Sequence, residues 1–241
     1  MSSFRLRIIA MATMVADHTA YAFMFYMSRP AYYTMRGVGR LAMPIFCFLI
    51  AEGFLHTKDI KKYLGRLLLF GIISEVPFDL LFSARVLEFE RGQNVFFTLF
   101  LGLLAVSLFD RLARQGRMGP GFLCVALCTA AAFVFRTDYQ AFGVLFIFAF
   151  YYFRGKRGAL VFVIAVITGS LALSQYIGGN PTFALVSLAE LLALPLILMY
   201  NGQPGPTSKG MRMSFYIFYP LHLSMIFLCA LYVGRVAAYF Y

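Results

Sequence analysis

Long apolar segments alternate with short stretches rich in arginine, lysine, glycine and proline along the whole 241-residue chain. A helix that crosses a bilayer needs about 20 mostly apolar residues. Nine segments approach this length, at residues 6–28, 38–57, 63–82, 95–110, 119–136, 139–154, 158–177, 181–200 and 213–234. The fourth and sixth are short, so eight spans is the alternative count. The pattern predicts an all-α, polytopic membrane helix bundle that forms a single domain over residues 1–241.

Composition supports the same class of protein. Hydrophobic residues make up 61% of the chain and charged residues 13%, against roughly 45–50% and about 25% in soluble domains. A soluble globule with so little charge could not cover its surface, and a disordered chain is excluded for the same reason. The net charge of +11 would suggest nucleic acid in a soluble protein. Here most basic residues lie between apolar segments, so no nucleic-acid partner is expected.

The distribution of basic residues predicts the orientation, because Lys and Arg are enriched in cytoplasmic loops. With a cytoplasmic N-terminus, fourteen basic residues fall inside, namely Arg5, Arg7, Lys58, Lys61, Lys62, Arg66, Arg111, Arg114, Arg117, Arg154, Lys156, Arg157, Lys209 and Arg212. Seven fall outside, namely Arg29, Arg36, Arg40, Arg85, Arg91, Arg136 and Arg235. We therefore expect a multi-pass protein of the cell (inner) membrane with its N-terminus inside. The first outer loop, with three arginines, fits this scheme least well.

Three local features leave the prediction of a membrane helix bundle unchanged. Asp17 and His18 interrupt the first apolar segment, so the N-terminus is not interpreted as a cleavable signal peptide. The four cysteines lie inside apolar segments and are interpreted as small buried hydrophobic residues rather than disulfide or zinc ligands. Only three histidines exist and no H-x-x-x-H or H-E-x-x-H pattern occurs. No bound metal is therefore expected.

Ionisable residues within the spans carry the functional signal. Each costs about 2.5–3.5 kcal/mol on insertion scales, so its presence needs a reason. At about 1.5 Å per residue, His18 and His222 fall roughly 14–15 Å from the inner ends of their helices. Asp17, Glu75 and Glu190 also lie near the middle of their spans. The shared depth predicts one polar cavity inside the bundle.

The first helix adds a second signal. Arg7 and His18 are eleven residues apart, which is about three helical turns, so both lie on one face. A cationic rim at Arg7 that leads to the imidazole of His18 suits an anionic donor arriving from the cytosol. The alternative is that Arg7 anchors the helix at the membrane surface while His18 hydrogen-bonds a neighbouring helix.

The second and third spans supply further candidates. Glu52 and His56 are spaced i, i+4 and can pair near the inner surface, and Arg40 lies in the same span. The cluster of Lys58, Lys61, Lys62 and Arg66 is able to bind phosphates, or is an ordinary cytoplasmic loop. Asp79 and Asp138, towards the outer face, are interpreted as loop anchors.

Eight sequence runs resemble those of the TraX family, in the same order and nearly end to end. They are M-V-A-D-H (14–18), G-R-L-A-M-P-I-F (39–46), A-E-G-F-L-H-T (51–57), Y-L-G-R-L-L-L-F (63–70), S-E-V-P-F-D-L (74–80), N-V-F-F-T-L (94–99), D-Y-Q-A-F-G-V-L (138–145) and F-Y-x-F-Y-P-L-H-L (215–223). The first helix is also similar to that of the wider transmembrane acyltransferases, at Leu6, Arg7, Ala10, Val15 and His18. TraX-like proteins are inner-membrane acetyltransferases, typified by the one that acetylates the N-terminal amine of a conjugative pilin.

The resemblance implies a catalytic role for His18, a position beside the donor for Arg7, and acetyl-CoA or a longer acyl-CoA as co-substrate. Four further residues match motif positions to which the resemblance assigns no individual role, namely Arg40, Glu52, Glu75 and His222. The acceptor does not carry over. It is left as a peptide N-terminus or a small molecule bearing an amine or hydroxyl, and a homo-oligomer is left open.

Acyl transfer requires that the acceptor lose a proton, that the developing oxyanion be stabilised and that water be excluded. We expect His18 to take the proton, with Asp17, Glu75 or Glu190 orienting its ring. The alternative for Asp17, which lies about 100° round the helix from His18, is a pairing with another helix. Lys62 and Arg66 are expected to contribute to donor binding. An acyl-histidine intermediate would use the same residue. Tyr219, His222 and Arg40 are the candidates for polarising the thioester.

Two other function classes remain open at this point. A small transporter or channel would also place ionisable groups near the membrane midplane, although no internal repeat is evident. In a non-catalytic assembly factor, the same groups would only hold helices together.

Overall fold

The computed structural model of the protein describes residues 1–86, 92–206 and 208–234, without the side chains of Lys209 and Arg212. Arg91 and Arg235, which enter the charge count above, lie outside the described residues. Within the described ranges the chain forms eleven α-helices and no strand, apart from one isolated bridge between Gln93 and Thr137. The all-α prediction is therefore confirmed for the part of the chain that is described.

The helices are α1 (Ser3–Ala22), α2 (Arg29–Gly39), α3 (Ala42–His56), α4 (Ile60–Ser83), α5 (Val95–Ala113), α6 (Met118–Val134), α7 (Gln140–Tyr152), α8 (Arg157–Ile177), α9 (Pro181–Leu188), α10 (Ala193–Leu198) and α11 (Lys209–Tyr232). Polar side chains begin several of them, as expected at N-caps. Ser2, Ser28, Asp59, Asn94 and Ser208 each accept a hydrogen bond from a backbone N–H in the first turn of the following helix.

Each of the nine predicted spans coincides with helical structure, but the structure differs from the prediction in three places. The first span ends at Ala22 and is followed by a short 3-10 turn at Met24–Tyr26. Residues 29–37, expected as an outer loop, form α2, because Ser28 caps a helix whose second residue is a proline. The eighth span is divided into α9 and α10 by a 3-10 turn at Ala189–Leu192.

Five helical stretches of the described chain are long and apolar enough to cross a membrane, at Arg29–His56, Val95–Ala113, Arg157–Ile177, Pro181–Leu198 and Met213–Tyr232. The first of these joins α2 and α3 through Arg40 and Leu41, which keep helical backbone angles. Helices α6 and α7 are apolar but shorter. Helices α1 and α4 carry several charged residues within their length, and these include residues that build the site.

Consecutive long helices run in opposite directions, so their ends gather at two faces. The N-terminal face holds the start of α1, the α3–α4 loop and the α10–α11 loop, where the backbone N–H of Ser3 donates to Gln203 O at 2.9 Å. The C-terminal face holds the ends of α1, α4 and α11. There the Tyr21 hydroxyl donates to Phe82 O at 3.3 Å and the Tyr26 hydroxyl to Val233 O at 3.3 Å.

Helix α1 is packed between α2, α3 and α11, and this packing places its polar residues inside the protein. Leu6, Ala10 and Met14 are buried on its first turns, and Asp17 and His18 follow them deeper in the bundle. Gly39 of α2 allows the closest approach, since a Cβ at this position would lie 2.3 Å from the Cβ of Asp17. Small residues of this kind let membrane helices pack backbone to backbone.

Candidate active site

A cavity of about 430 Å³ lies among α1, α2, α3, α4 and the starts of α5 and α7. It lies towards the C-terminal face, since its wall includes Ser83 at the end of α4 and Val95 at the start of α5. The polar residues of the wall are Asp17, His18, Arg36, Arg40, Asp138, Tyr139 and Tyr219, and the apolar ones include Met14, Met43, Phe46, Phe78 and Phe82. Of the residues predicted for the site, Asp17, His18, Arg40 and Tyr219 line this cavity.

Asp17 is held between two guanidinium groups. Arg36 Nη1 donates to Asp17 Oδ2 at 2.7 Å, and Arg40 Nη2 lies 2.9 Å and 3.0 Å from the two carboxylate oxygens. Arg36 and Arg40 are spaced i, i+4, so both project from one face of the helical stretch Arg29–His56. The ring of Phe183 in α9 covers both guanidinium groups, at 5.0 Å from Arg36 and 5.7 Å from Arg40. Buried charges need partners of this kind, and the three side chains stabilise one another.

His18 and His222 lie next to each other inside the bundle. Nδ1 of His18 is 2.8 Å from Nε2 of His222, and the two rings are stacked with an interplanar angle of 12°. Nδ1 of His222 is 3.0 Å from the carbonyl oxygen of Phe218. The predicted common depth of the two histidines is thus matched by a direct contact between residues that are 204 positions apart.

These contacts define the tautomers of the neutral rings. A carbonyl oxygen only accepts hydrogen bonds, so Nδ1 of His222 carries the proton and its Nε2 is an acceptor. His18 therefore donates from Nδ1 to that nitrogen, and the lone pair of His18 resides on Nε2. No hydrogen bond to this nitrogen occurs within the described part of the chain. An imidazole with a free Nε2 on the wall of a cavity has the form of a general base.

The expectation that a carboxylate orients the ring of His18 was wrong. Asp17 points to the arginines, because it is the next residue along the helix and lies about 100° away from His18. Glu75 binds Asn94 instead, through the backbone N–H and the side-chain amide of Asn94. That amide also donates to Gly71 O at 2.8 Å. Glu75 therefore holds the N-cap of α5, and the ring of His18 is oriented by His222.

Two further carboxyl groups lie near the arginines. Glu190 is fully buried in the 3-10 turn between α9 and α10, close to Arg40, Tyr139 and Thr168. Glu190, Glu75 and His222 do not line the cavity, so the prediction that the midplane ionisable groups share one polar chamber was wrong for these three residues. Asp138 lies in the loop before α7, and burial raises its pKa to about 6. Rather than serving only as a loop anchor, Asp138 forms part of the cavity wall.

The predicted donor residues lie at the other face. Arg7 stacks over Phe215 at 5.1 Å, and Arg66 stacks over Tyr63 and Tyr216 at 5.7 and 5.9 Å. Lys62 is exposed and pairs with Asp59 at 3.3 Å. The expected Glu52–His56 pair forms at 3.3 Å, and Arg154 joins Glu52 at the same distance. None of the five predicted residues in these clusters, Arg7, Glu52, His56, Lys62 and Arg66, lines the cavity beside His18.

Aromatic rings fill the space between the two regions. Tyr216, beside Arg66, stacks on Phe96 at 6.3 Å, Phe96 contacts Tyr219 at 5.2 Å, and Tyr219 contacts His18 at 6.2 Å. We call Tyr216, Phe96 and Tyr219 the aromatic column. The sequence predicted a groove from Arg7 to His18 along one face of α1. In the structure, the aromatic column lies beside this part of α1.

Sequence reasoning assigned Arg36 to a loop and gave Tyr139 no role, yet both line the cavity. The signal for Arg36 was present, since Ser28 followed by Pro30 is a helix start that would put Arg36 and Arg40 on one face. No sequence signal marks Tyr139, which precedes α7 in a left-handed conformation with φ of 61°. Its position depends on how the loop before α7 packs against α5.

The sequence of the chain is similar to those of known proteins. The chain is 35% identical over 237 residues to a protein of Dichelobacter nodosus described as probable fimbrial assembly protein FimC, serogroup H1. The match covers 93% of this chain and 94% of that protein. No solved structure matches the chain. The sequence model described as TraX protein matches residues 2–230, so the chain belongs to the TraX family.

Proposed function

We propose that the protein is a membrane-embedded acyltransferase that moves an acetyl or longer acyl group from acyl-CoA to an amine or hydroxyl acceptor. The observation that carries the proposal is the His18–His222 pair. Nε2 of His18 carries the lone pair in this arrangement and has no partner among the described residues, and His18 lines the cavity. Membership of the TraX family supports the same reaction class through the resemblance described above.

In the proposed mechanism, Nε2 of His18 takes the proton of the acceptor as the acceptor attacks the thioester. The imidazolium that forms is stabilised by its Nδ1–H bond to His222, which the Phe218 carbonyl keeps in the accepting tautomer. His222 thus acts as a positioning residue for the base. Water must be kept from the thioester, and the apolar wall of Met43, Phe78 and Phe82 serves this purpose.

The donor is proposed to bind at the N-terminal face. Arg7, Arg66 and Lys62 supply cations for the phosphates of CoA, and the rings beside Arg7 and Arg66 offer apolar surface for its adenine and pantetheine groups. The thioester reaches His18 along the aromatic column, whose side chains change rotamer to admit it. In this proposal the N-terminal face lies on the cytoplasmic side of the cell membrane. Acyl-CoA therefore reaches it from the cytoplasm.

The acceptor is proposed to approach from the C-terminal face, because the cavity lies towards that end of the bundle. The name of the Dichelobacter nodosus relative supports an acceptor of the peptide class, such as the amino terminus of an exported subunit. That name also favours a second candidate function, a non-catalytic role in fimbrial assembly.

Purified protein in lipid nanodiscs, supplied with radiolabelled acetyl-CoA and a panel of peptide amines and alcohols, tests the proposal. His18→Ala is expected to lower turnover by about 10²–10⁴-fold, the range of a general base. His56→Ala is the matched control, because His56 is a largely exposed histidine at the N-terminal face and its loss should leave turnover nearly unchanged.

Normal acyl transfer by a folded His18→Ala protein would rule out His18 as the base. If the wild-type protein neither binds CoA nor releases it from acetyl-CoA with any acceptor, the assembly role is favoured over catalysis. Folding of each variant is followed by size-exclusion chromatography and thermal unfolding.

A further inference from the structure

The hydroxyl of Tyr219 is an unsatisfied polar group in the site. Tyr219 is 4% exposed and lines the cavity, and its hydroxyl has no hydrogen-bond partner in the described part of the chain. Buried hydroxyl groups in proteins are nearly always hydrogen-bonded, and each exception needs an explanation. A ligand oxygen in the cavity is one such explanation.

The start of α5 supplies a second donor at the same place. Asn94 caps this 19-residue helix, with its side-chain oxygen accepting from Phe96 N–H at 3.0 Å and its carbonyl accepting from Phe97 N–H at 3.2 Å. The remaining amide of the first turn belongs to Val95, which also lines the cavity. It lies beside the Tyr219 oxygen without closing a hydrogen bond of normal geometry. Helix N-termini attract negative charge through such free amides.

The other candidate side chains each have at least one partner, although Nε of Arg36 and Nε of Arg40 have none among the described residues. Both nitrogens of His222 are occupied, one by Phe218 and one by His18. The guanidinium group of Arg40 is held by Asp17 through Nη2. Tyr219 is thus the candidate whose side chain has no hydrogen-bond partner at all within the described residues.

The same tyrosine contacts the proposed base. Its ring packs edge-on against His18, with 6.2 Å between centroids, and against His222 at 5.4 Å. Tyr219, Val95 and His18 therefore all line one cavity. This is the arrangement that acyl transfer requires, with a base on one side of the carbonyl group and hydrogen-bond donors on its oxygen.

We propose that the Tyr219 hydroxyl and the Val95 backbone N–H form the oxyanion hole that binds the carbonyl oxygen of the acyl donor. The inference rests on the proposed acyl transfer and adds a second catalytic residue to it. As the acceptor attacks the carbonyl carbon, its proton passes to Nε2 of His18 and the C=O π electrons move to the oxygen. The two donors hold that oxyanion until the C–S bond breaks, and the CoA thiolate then receives the proton from His18.

Glu75 takes a defined place in this proposal as a positioning residue. It binds Asn94 on both the backbone and the side-chain nitrogen and so fixes the first turn of α5, which presents the Val95 amide. Glu75, a motif residue that does not reach His18, thus positions one of the two proposed donors to the carbonyl oxygen.

Tyr219→Phe tests the proposal with the ring retained. Removing one oxyanion donor is expected to lower kcat by about 10²–10³-fold, with little change in KM for acyl-CoA. Tyr176→Phe is the control, because Tyr176 lies near the end of α8, is 63% exposed and is part of neither the cavity wall nor the aromatic column. Its kcat should stay close to that of the wild type.

A second variant separates chemistry from packing. Replacing Tyr219 by 3-fluorotyrosine keeps the ring and the hydroxyl but makes the hydroxyl a stronger donor, so kcat should rise while the unfolding temperature stays unchanged. The carbonyl stretch of isotope-labelled acetyl-CoA should shift to lower frequency on binding to the wild type, and the shift should be reduced in Tyr219→Phe.

The outcomes distinguish this inference from the proposed function. An active wild type whose Tyr219→Phe variant has the same kcat and the same carbonyl frequency overturns the oxyanion hole and leaves His18 in place. A wild type that transfers no acyl group and leaves the carbonyl frequency of acetyl-CoA unshifted overturns both.

Discussion

At the residue scale, Asp17 balances two buried cations. It accepts hydrogen bonds from both Arg36 and Arg40, and its side chain is 11% exposed. An arginine inside a bilayer-embedded bundle is costly unless it is paired, so this carboxylate determines whether α2 can lie against α1. The same pairing accounts for the excess of arginine in the predicted first outer loop, because Arg36 and Arg40 lie in the protein interior.

Asp17→Asn should therefore destabilise the protein strongly. Removing one partner of a buried ion pair costs about 3–5 kcal/mol, since the remaining charges lose their counter-ion. The protein contains no tryptophan, so unfolding is best followed with a thiol-reactive dye that reports exposure of the buried Cys47 and Cys128.

Asp59→Asn is the control for Asp17→Asn, because Asp59 is an N-cap at the surface and asparagine caps helices equally well. The double variant Asp17→Asn with Arg36→Gln restores the original net charge and should regain part of the lost stability. Equal unfolding temperatures for Asp17→Asn and the wild type would show that the ion pairs contribute little.

At the element scale, the helical stretch formed by α2 and α3 organises the site. Its first part presents Arg36 and Arg40 to Asp17, and its second part contributes Met43 and Phe46 to the cavity wall. This requires close contact between α1 and α2, which Gly39 permits.

Gly39→Ala is expected to separate these helices. The added Cβ would lie 2.3 Å from the Cβ of Asp17 and 2.5 Å from its Oδ1. Such overpacking costs typically about 1–3 kcal/mol, and here it also displaces the carboxylate that binds the arginines. We expect a lower unfolding temperature in the thiol-dye assay.

Gly65→Ala provides the comparison for Gly39→Ala. Gly65 lies within α4, and a Cβ added there would meet no other atom within 4 Å. Alanine is favoured over glycine in a helix by about 0.5–1 kcal/mol, so the unfolding temperature should be unchanged or higher. A Gly39→Ala protein as stable as Gly65→Ala would mean that the α1–α2 contact is adaptable.

At the scale of the whole molecule, the proposed donor residues and the cavity lie towards opposite faces. Arg7, Lys62 and Arg66 lie at the N-terminal face, and the cavity lies towards the C-terminal face with the aromatic column between them. If the two substrates approach from opposite sides, the reaction would join a cytoplasmic donor to an acceptor outside the membrane. This arrangement depends on the orientation of the protein in the bilayer.

The positive-inside rule predicts a cytoplasmic N-terminal face. Cysteines introduced at Gln115, in the α5–α6 loop, and at Arg29, at the start of α2, are exposed on opposite faces. In intact cells a membrane-impermeant maleimide should label Arg29→Cys and spare Gln115→Cys, and permeabilised cells should show labelling of both. The reverse pattern in intact cells would contradict the proposed orientation and the route of the donor.

The sequence alone determined the helical class, nearly all helix positions and the family. A helix in a bilayer must be apolar over a fixed length, so its position can be predicted from the local sequence. The burial of Asp17, His18 and His222 followed for the same reason, because position along a helix gives depth. Depth was thus sufficient to predict that His18 and His222 lie at a common level of the bundle, where the structure brings them into contact.

Only the tertiary structure decided which of the buried polar groups meet. Depth does not encode the rotation of a helix about its axis or the identity of its neighbours. His18 therefore pairs with His222 rather than with a carboxylate, Glu75 with Asn94, and Asp17 with two arginines, one of which the sequence had placed in a loop. Partners from distant parts of the chain are set by packing. Packing also leaves Nε2 of His18 and the hydroxyl of Tyr219 without a hydrogen-bond partner among the described residues.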